Sequence, residues 1–296
     1  MRRRRLSRVV LLAAVLLAVV AAGWWVRAIV TLDTYSPQLR EVTIAVPGLT
    51  RQVDVLQVTD LGGDRFGAGQ SQLAALIAGR RFDSVVLTGD IGGRADLSAV
   101  WELAALAREH SSRVWFLPGN HETPDVGPGL AQRGVITLPQ DRAVPLTDSD
   151  PGAREVALAY GRTARTIASA RGHGQVLLVI ASHTPPDANR LAAARSLGAG
   201  THLFIAGHTH GGQIRLPLLG AIVAPLSWAH EQRAPASGDE ITFWPDLRGR
   251  LVDGMYVRDG QRVFVSVGLQ RFSEGLPRFL DRAEMVAYRF VPAPGR

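Results

Sequence analysis

The sequence predicts a single α/β domain preceded by one membrane-spanning helix. Three observations predict it. From about residue 46 to 291, apolar strand-like runs alternate with helix-like stretches. An uncharged run of 18 residues, Val9–Val26, follows a cluster of five arginines. The chain has 296 residues, 46% of them hydrophobic, enough to bury one large core or two small ones.

Four stretches follow from these patterns: a basic tail over 1–8, a transmembrane signal anchor over 9–30, a connector containing Pro37 over 31–45, and a domain over 46–296. Val9–Val26 consists almost wholly of valine, leucine and alanine and ends in Trp24 and Trp25, residues suited to a membrane interface. Five arginines precede it and only Arg27 follows closely, so the positive-inside rule keeps the start in the cytoplasm and sends the domain outward. The protein is thus expected as a single-pass cell-membrane protein with its domain on the extracytoplasmic side. A cleaved signal peptide is the rival, because Val20-Ala21-Ala22 loosely resembles a small-residue cleavage site. The length of the apolar run and the tryptophans behind it favour an uncleaved anchor.

Within the domain, helices are expected over 70–79, over 96–109 with Asp96 as cap, and from about 186 to Leu197, stopping at Gly198. Strands are expected over Val53–Val58, Val85–Thr88, Val114–Leu117, Val176–Ala181 and Leu203–Ala206. Residues 141–171 resist assignment.

Composition excludes much chemistry. All 33 basic residues are arginine, and cysteine is absent. Without lysine there is no ordinary Walker P-loop and no Schiff base on pyridoxal phosphate. Without cysteine there is no disulfide, thiol nucleophile, iron–sulfur cluster or cysteine zinc site. The net charge of +7 resembles a nucleic-acid signal until it is divided along the chain. Residues 1–30 hold six arginines and no acid, which leaves 27 arginines against 26 acids in the rest. No nucleic-acid partner is therefore expected.

Each expected strand runs into a polar tip. The tips are Thr59-Asp60, Gly89-Asp90, Pro118-Gly119-Asn120-His121, Ser182-His183 and Gly207-His208-Thr209-His210. In open α/β sheets ligands bind beyond the carboxyl ends of strands, so the five tips would meet in one pocket if their strands share a sheet. A mixture of Asp, Asn and His suits manganese, iron or zinc rather than the all-oxygen cages of calcium. Two such ions can clamp a phosphoryl group between attacking and leaving oxygens.

At these residues the chain resembles the calcineurin-like metallophosphoesterases. Their pattern is D-x-H, G-D, G-N-H-[DE], a lone H and G-H-x-H. Here it reads Asp60-Leu61-Gly62, Gly89-Asp90, Gly119-Asn120-His121-Glu122, His183 and Gly207-His208-Thr209-His210. The extended forms VLTGDI, PGNHE, SHTPPD and GHTHGGQIRLP resemble the membrane-associated bacterial branch. The resemblance implies a four-layer α-β-β-α sandwich of two mixed sheets. It also implies hydrolysis of a phosphodiester or pyrophosphate by a metal-bridging hydroxide, on a lipid-linked or envelope substrate. Carried over by position, Asp60 and His210 hold a first divalent ion and Asp90 bridges to a second. Asn120, His183 and His208 complete the second, and His121 sits beside the phosphate as the catalytic residue. Arg215 is a candidate substrate contact.

One ligand is missing. The family's first histidine is replaced by Gly62, which has no side chain to ligate. Asp64, two residues on, is a candidate substitute, and the first site is expected to be weakened. The gap leaves a second reading open, a pseudoenzyme that binds a phosphorylated ligand or a partner. Four further histidines, His110, His173, His202 and His230, are given no role.

Overall fold

The computed structural model describes residues 2–93, 96–147, 156–169, 175–197, 201–225, 241–243, 250–273 and 275–294. Helix α1 spans Arg2–Tyr35 and strand β1 follows over Gln38–Val46. The chain continues through β2 (Val53–Val58), α2 (Ser71–Ile77), β3 (Ser84–Thr88), α3 (Ser98–His110), β4 (Val114–Leu117), α4 (Val126–Ala131) and β5 (Ile136–Thr137). Next come β6 (Val144–Pro145), β7 (Val156–Tyr160), α5 (Ala164–Ser169), β8 (Leu177–Ala181), α6 (Ala188–Arg195) and β9 (Thr201–Ala206). A small sheet is built from β10 (Ile214–Leu216), β11 (Gly220–Pro225) and β12 (Ile241–Phe243). The remaining strands are β13 (Gly254–Arg258), β14 (Gln261–Val265), the short pair β15 (Phe272–Ser273) and β16 (Leu276–Pro277), and β17 (Glu284–Pro292).

Two six-stranded mixed sheets form the body, ordered β1-β17-β2-β3-β4-β5 and β13-β14-β9-β8-β7-β6. Alternation along each strand explains why they stack. In β2, Val55 joins the core shared by both sheets, with Tyr288, Leu158, Val179 and Ile205. Its neighbours Leu56 and Val58 face the other way, onto Leu73 and Ile77 of α2 and Leu103 of α3. The second sheet repeats the pattern, with Ala159, Ile180 and Phe204 turned toward Ile167 of α5 and Leu191 of α6. The four-layer α-β-β-α sandwich is the observed architecture.

The five strand tips do not share a sheet. β2, β3 and β4 are neighbours in the first sheet, whereas β8 and β9 are neighbours in the second. The tips meet because the carboxyl ends of both parallel sets open at the same end of the sandwich.

Residues 31–45 are not a connector. α1 continues to Tyr35, and β1 pairs in parallel with β17 from Gln38↔Glu284 to Val46↔Pro292. The helix end is locked to the body. The amide of Ala283 donates to Asp33 O at 3.1 Å and the amide of Arg278 to Thr34 Oγ1 at 3.2 Å. Arg282 Nε donates to Ser36 O at 2.6 Å. The bond to Asp33 O satisfies a carbonyl that a helix end otherwise leaves orphaned. Asp33 and Thr34 are buried as a result, while Leu11, Leu16, Trp24 and Trp25 are exposed. Leu11–Tyr35 is long and apolar enough to cross a membrane, a test that an anchor and a signal sequence both pass.

Within 141–171, β6, β7 and α5 occupy the described part. Asp96 Oδ1 accepts the amide of Ser98 at 2.9 Å at the start of α3. Asp187 caps α6 by accepting Arg190 N at 2.8 Å. Gly198 lies outside the described residues.

Candidate metal centre

Each tip leaves its strand through a tight turn, and four of the candidate ligands adopt left-handed backbone: Asp60 (φ 51), Asp90 (φ 51), His208 (φ 73) and His210 (φ 48). Such a conformation is uncommon outside glycine and persists only where surrounding structure enforces it. The enforcement is visible. Asp60 N donates to Gly89 O at 3.0 Å and Gly207 N to His183 O at 2.9 Å, which ties the tips together in pairs. A Cβ at Gly207 would overlap Thr59 Oγ1 and Asp60 Oδ2, so only glycine lets the two sheets' tips approach this closely.

The cluster crosses between the sheets. His183 Nε2 from the second sheet lies 3.1 Å from Asp90 Oδ2 of the first, 4.0 Å from Asp60 Oδ1 and 3.0 Å from His208 Nδ1. The His183 and His208 rings meet edge to face, with centroids 4.8 Å apart. Ligand atoms of Asp90, His183 and His208 all lie within 4.8 Å of one another, and all three residues are buried. His183 Nδ1 faces Thr88 O at 3.0 Å, and a carbonyl can only accept. Nδ1 therefore carries the proton, and the Nε2 lone pair of a neutral ring points into the cluster.

Asp60 is held by Thr59 Oγ1 at 2.7 Å and by the amide of His208 at 3.0 Å. The amide of His121 donates to Asp90 Oδ1 at 2.8 Å. Asn120 and His121 are exposed, and Asn120 lines a cavity of about 400 Å³ together with Gly119, Ser182 and His183. Tyr160 and Arg162 form the opposite wall. The centre is thus open to solutes from this side.

Burial and charge set the protonation states. Burial raises Asp60 to about 6, reinforced by Asp90 and opposed by His183. Burial also pushes Asp90 upward, but the charge and hydrogen bond of His183 prevail and hold it well below the usual carboxylate range. Burial would lower His183; Asp90 and Asp60 outweigh it and raise it to about 9. Burial and neighbouring imidazoles hold His208 well below the ordinary histidine value. Burial and the Arg278 guanidinium lower His210 to about 3. Both rings are therefore neutral at neutral pH.

The other expected residues lie elsewhere in the hydrogen-bond network. Asp64 is buried, its Oδ2 accepting the amide of Arg271 at 2.8 Å and its Oδ1 3.6 Å from Arg271 Nε. Arg215 pairs with Asp253 Oδ1 at 2.6 Å and donates to Gly211 O at 3.1 Å, bracing the loop after His210. His110 and His202 make structural contacts, to Arg80 O at 2.8 Å and Gln261 Oε1 at 3.2 Å. His173 and His230 lie outside the described residues.

Sequence reasoning missed three contributors. Glu122 accepts the amide of Gly92 at 2.6 Å and that of Gly119 at 3.3 Å, fastening the second tip to the third. Arg162 lines the cavity; it sits two residues beyond β7, in the stretch that resisted assignment. Arg278 is fully buried and reaches His210 O at 3.4 Å, Gln270 O at 2.8 Å and Asp281 Oδ2 at 3.0 Å. Nothing in its local sequence marks it as buried.

With this geometry established, comparison with known families is decisive. The family profile for calcineurin-like phosphoesterase matches residues 53–212, more than half of the chain. The chain belongs to the calcineurin-like phosphoesterase family. Membership implies metal-dependent phosphoester hydrolysis, and the family usually binds a dinuclear metal site. No curated protein matches the chain. The residues of this calcineurin-like phosphoesterase fit such a site. Ligand atoms of Asp90, His183 and His208 lie close enough to share one cation once His183 gives up its proton. His210 Nδ1 is buried with no hydrogen-bond partner among the described residues, as an unligated metal donor would be.

Proposed function

We propose that the protein is a membrane-anchored, metal-dependent phosphoesterase that cleaves a phosphodiester or pyrophosphate in a lipid-linked or envelope substrate. The observation that carries this reading is the buried Asp90–His183–His208 trio, of which His183 also lines the cavity. Asp60, Asp90 and His210 would hold the first of two divalent ions (manganese, iron or zinc), and Asp90, Asn120, His183 and His208 would hold the second. Bound ions supply Lewis-acid activation of water and neutralise charge on the phosphoryl oxygens.

The protein's own residues do the remaining work. Thr88 O holds the His183 ring in the tautomer that directs Nε2 inward. His121 is exposed beside the centre with its amide fixed on Asp90, and it protonates the leaving oxygen. The Arg162 guanidinium on the cavity wall attracts an anionic substrate.

Two features support a substrate at a membrane surface. The end of α1 is fastened to the segment that carries Arg278, and Arg278 in turn reaches His210 O. Exposed apolar side chains cluster along connected segments there: Tyr35 meets Phe272 edge to face at 6.2 Å, and Leu218, Leu219 and Leu280 are exposed. Leu218 and Leu219 lie at the turn joining β10 to β11, and β10 is tied to Phe279 through the amide of Arg215 at 2.9 Å. The arginine-rich start supports an extracytoplasmic position for this face.

Gly62 favours the second reading, a binding module with an incomplete centre. One experiment separates the two: metal content and turnover of an aryl phosphodiester, measured together on the detergent-solubilised full chain. Two ions per chain with turnover support the enzyme. One ion or none, without turnover, supports the binding module.

A further inference from the structure

Gly62 adopts a left-handed conformation (φ +59). A Cβ built on it would lie 2.9 Å from Gln270 Cδ, 3.0 Å from Gln270 Oε1 and 3.1 Å from Gln270 Cγ. The carboxamide of Gln270 therefore occupies the space into which a side chain at 62 would leave the backbone. With Gln270 in this rotamer, an imidazole at 62 would first have to displace its carboxamide.

Gln270 is linked to both residues assigned to the first ion through its chain neighbours and through Arg278. Immediately before it, Leu269 N donates to Asp60 O at 3.2 Å, and a Cβ at Gly268 would lie 2.9 Å from Asp60 Oδ2. Its own carbonyl accepts Arg278 Nε at 2.8 Å, and the same guanidinium reaches His210 O at 3.4 Å. Its Nε2 donates to Phe272 O at 2.8 Å, which leaves Oε1 as the acceptor end of the amide facing Gly62. Asp64 is the other candidate in the neighbourhood, but its carboxylate is spent on the amide and guanidinium of Arg271.

We propose that Gln270 replaces the missing histidine and that its Oε1 is a ligand of the first metal ion. The proposal rests on the two-ion reading above. An amide oxygen is neutral and harder than an imidazole nitrogen, so the substitution shifts the first site toward manganese and away from zinc.

The test is a titration of the detergent-solubilised full chain with Mn²⁺ alone, in which paramagnetic resonance counts free ion and resolves two dissociation constants. Gln270→Ala should weaken the looser site by ~10-fold or more and leave the tighter one unchanged. Gln270→Glu should tighten the looser site, a response that mere space-filling would not produce. Gly62→His alone should not tighten it, because Gln270 blocks the ring. Gly62→His combined with Gln270→Gly should restore tight binding and add a nitrogen coupling to the Mn²⁺ spectrum of that site. If the native chain binds two ions and both glutamine variants match it at each site, the proposal is overturned while the two-ion reading stands. If the native chain binds no ion, both fall.

Discussion

Arg278→Met removes the buried cation that joins the glutamine loop and the histidine loop while nearly keeping its volume. Six groups lose a donor: the carbonyls of Val267 (2.8 Å), Gly268 (3.2 Å), Gln270 (2.8 Å), His210 (3.4 Å) and Asp281 (3.4 Å), and the Asp281 carboxylate (3.0 Å). Breaking a buried ion pair from one side costs about 3–5 kcal/mol, and the orphaned carbonyls keep the loss near the upper end. The penalty depends on pH with a definite sign. Burial already raises Asp281 to about 7 even though Arg278 opposes it. Its unfolded value is about 3.9, so the folded state binds the extra proton between the two values. The stability this contributes is complete below about 4 and is lost as pH rises through the folded value. Losing Arg278 drives the folded value higher still. The penalty at pH 8 should therefore exceed that at pH 5 by about 1.4 kcal/mol per unit of added shift. Urea unfolding of the detergent-solubilised chain, followed by tryptophan fluorescence at both pH values, measures it. Adding Asp281→Asn should recover the pH-dependent part. A penalty below about 1 kcal/mol, or one identical at pH 5 and pH 8, would refute the assignment of Arg278 as a buried clamp.

Three further outcomes follow from the site. Gly207→Ala forces a methyl group onto Asp60 and Thr59 and displaces one sheet's tip from the other. Turnover should fall by about 100-fold, and an unchanged rate would show that the tips tolerate separation. In the metal-free protein at pH 7.5, His183, raised to about 9, is protonated, yet a ligating imidazole must be neutral. Mn²⁺ uptake should thus release about one proton and tighten as pH rises toward 9; calorimetry in two buffers of different ionisation enthalpy reads this, and identical heats would contradict it. Arg162→Ala should raise KM by about tenfold with metal content unchanged, the loss of one charge-assisted hydrogen bond; an unaltered KM would remove Arg162 from the binding surface.

The fold and the centre differed in how much of each could be read beforehand. The five tips were legible because short apolar runs ending in Asp, Asn or His are local signals, and the structure assembles all five. Their division between two sheets was not legible from periodicity, since pairing of β2 with β17 joins residues more than 200 positions apart. β1 passed for a connector for the same reason: its partner is β17, and its polar residues Arg40, Glu41 and Thr43 weaken the apolar signal. Asp33 and Thr34 at the end of α1 are buried because residues 278–283 fold back to meet them, a contact that exists only in space. Arg278 and Asp281 were invisible for a physical reason. A charged residue in a loop is ordinarily at the surface, and only a three-dimensional partner set makes burial tolerable. Gln270 belongs to the same class, because its relation to Gly62 exists only in space.

Metal-dependent hydrolysis of an aryl phosphodiester by the detergent-solubilised full chain tests the central claim most directly. The rate should vanish on chelation and return on adding Mn²⁺, and Asp90→Asn should abolish that recovery. Absence of turnover with every divalent ion supplied, or turnover indifferent to chelation, would contradict the account.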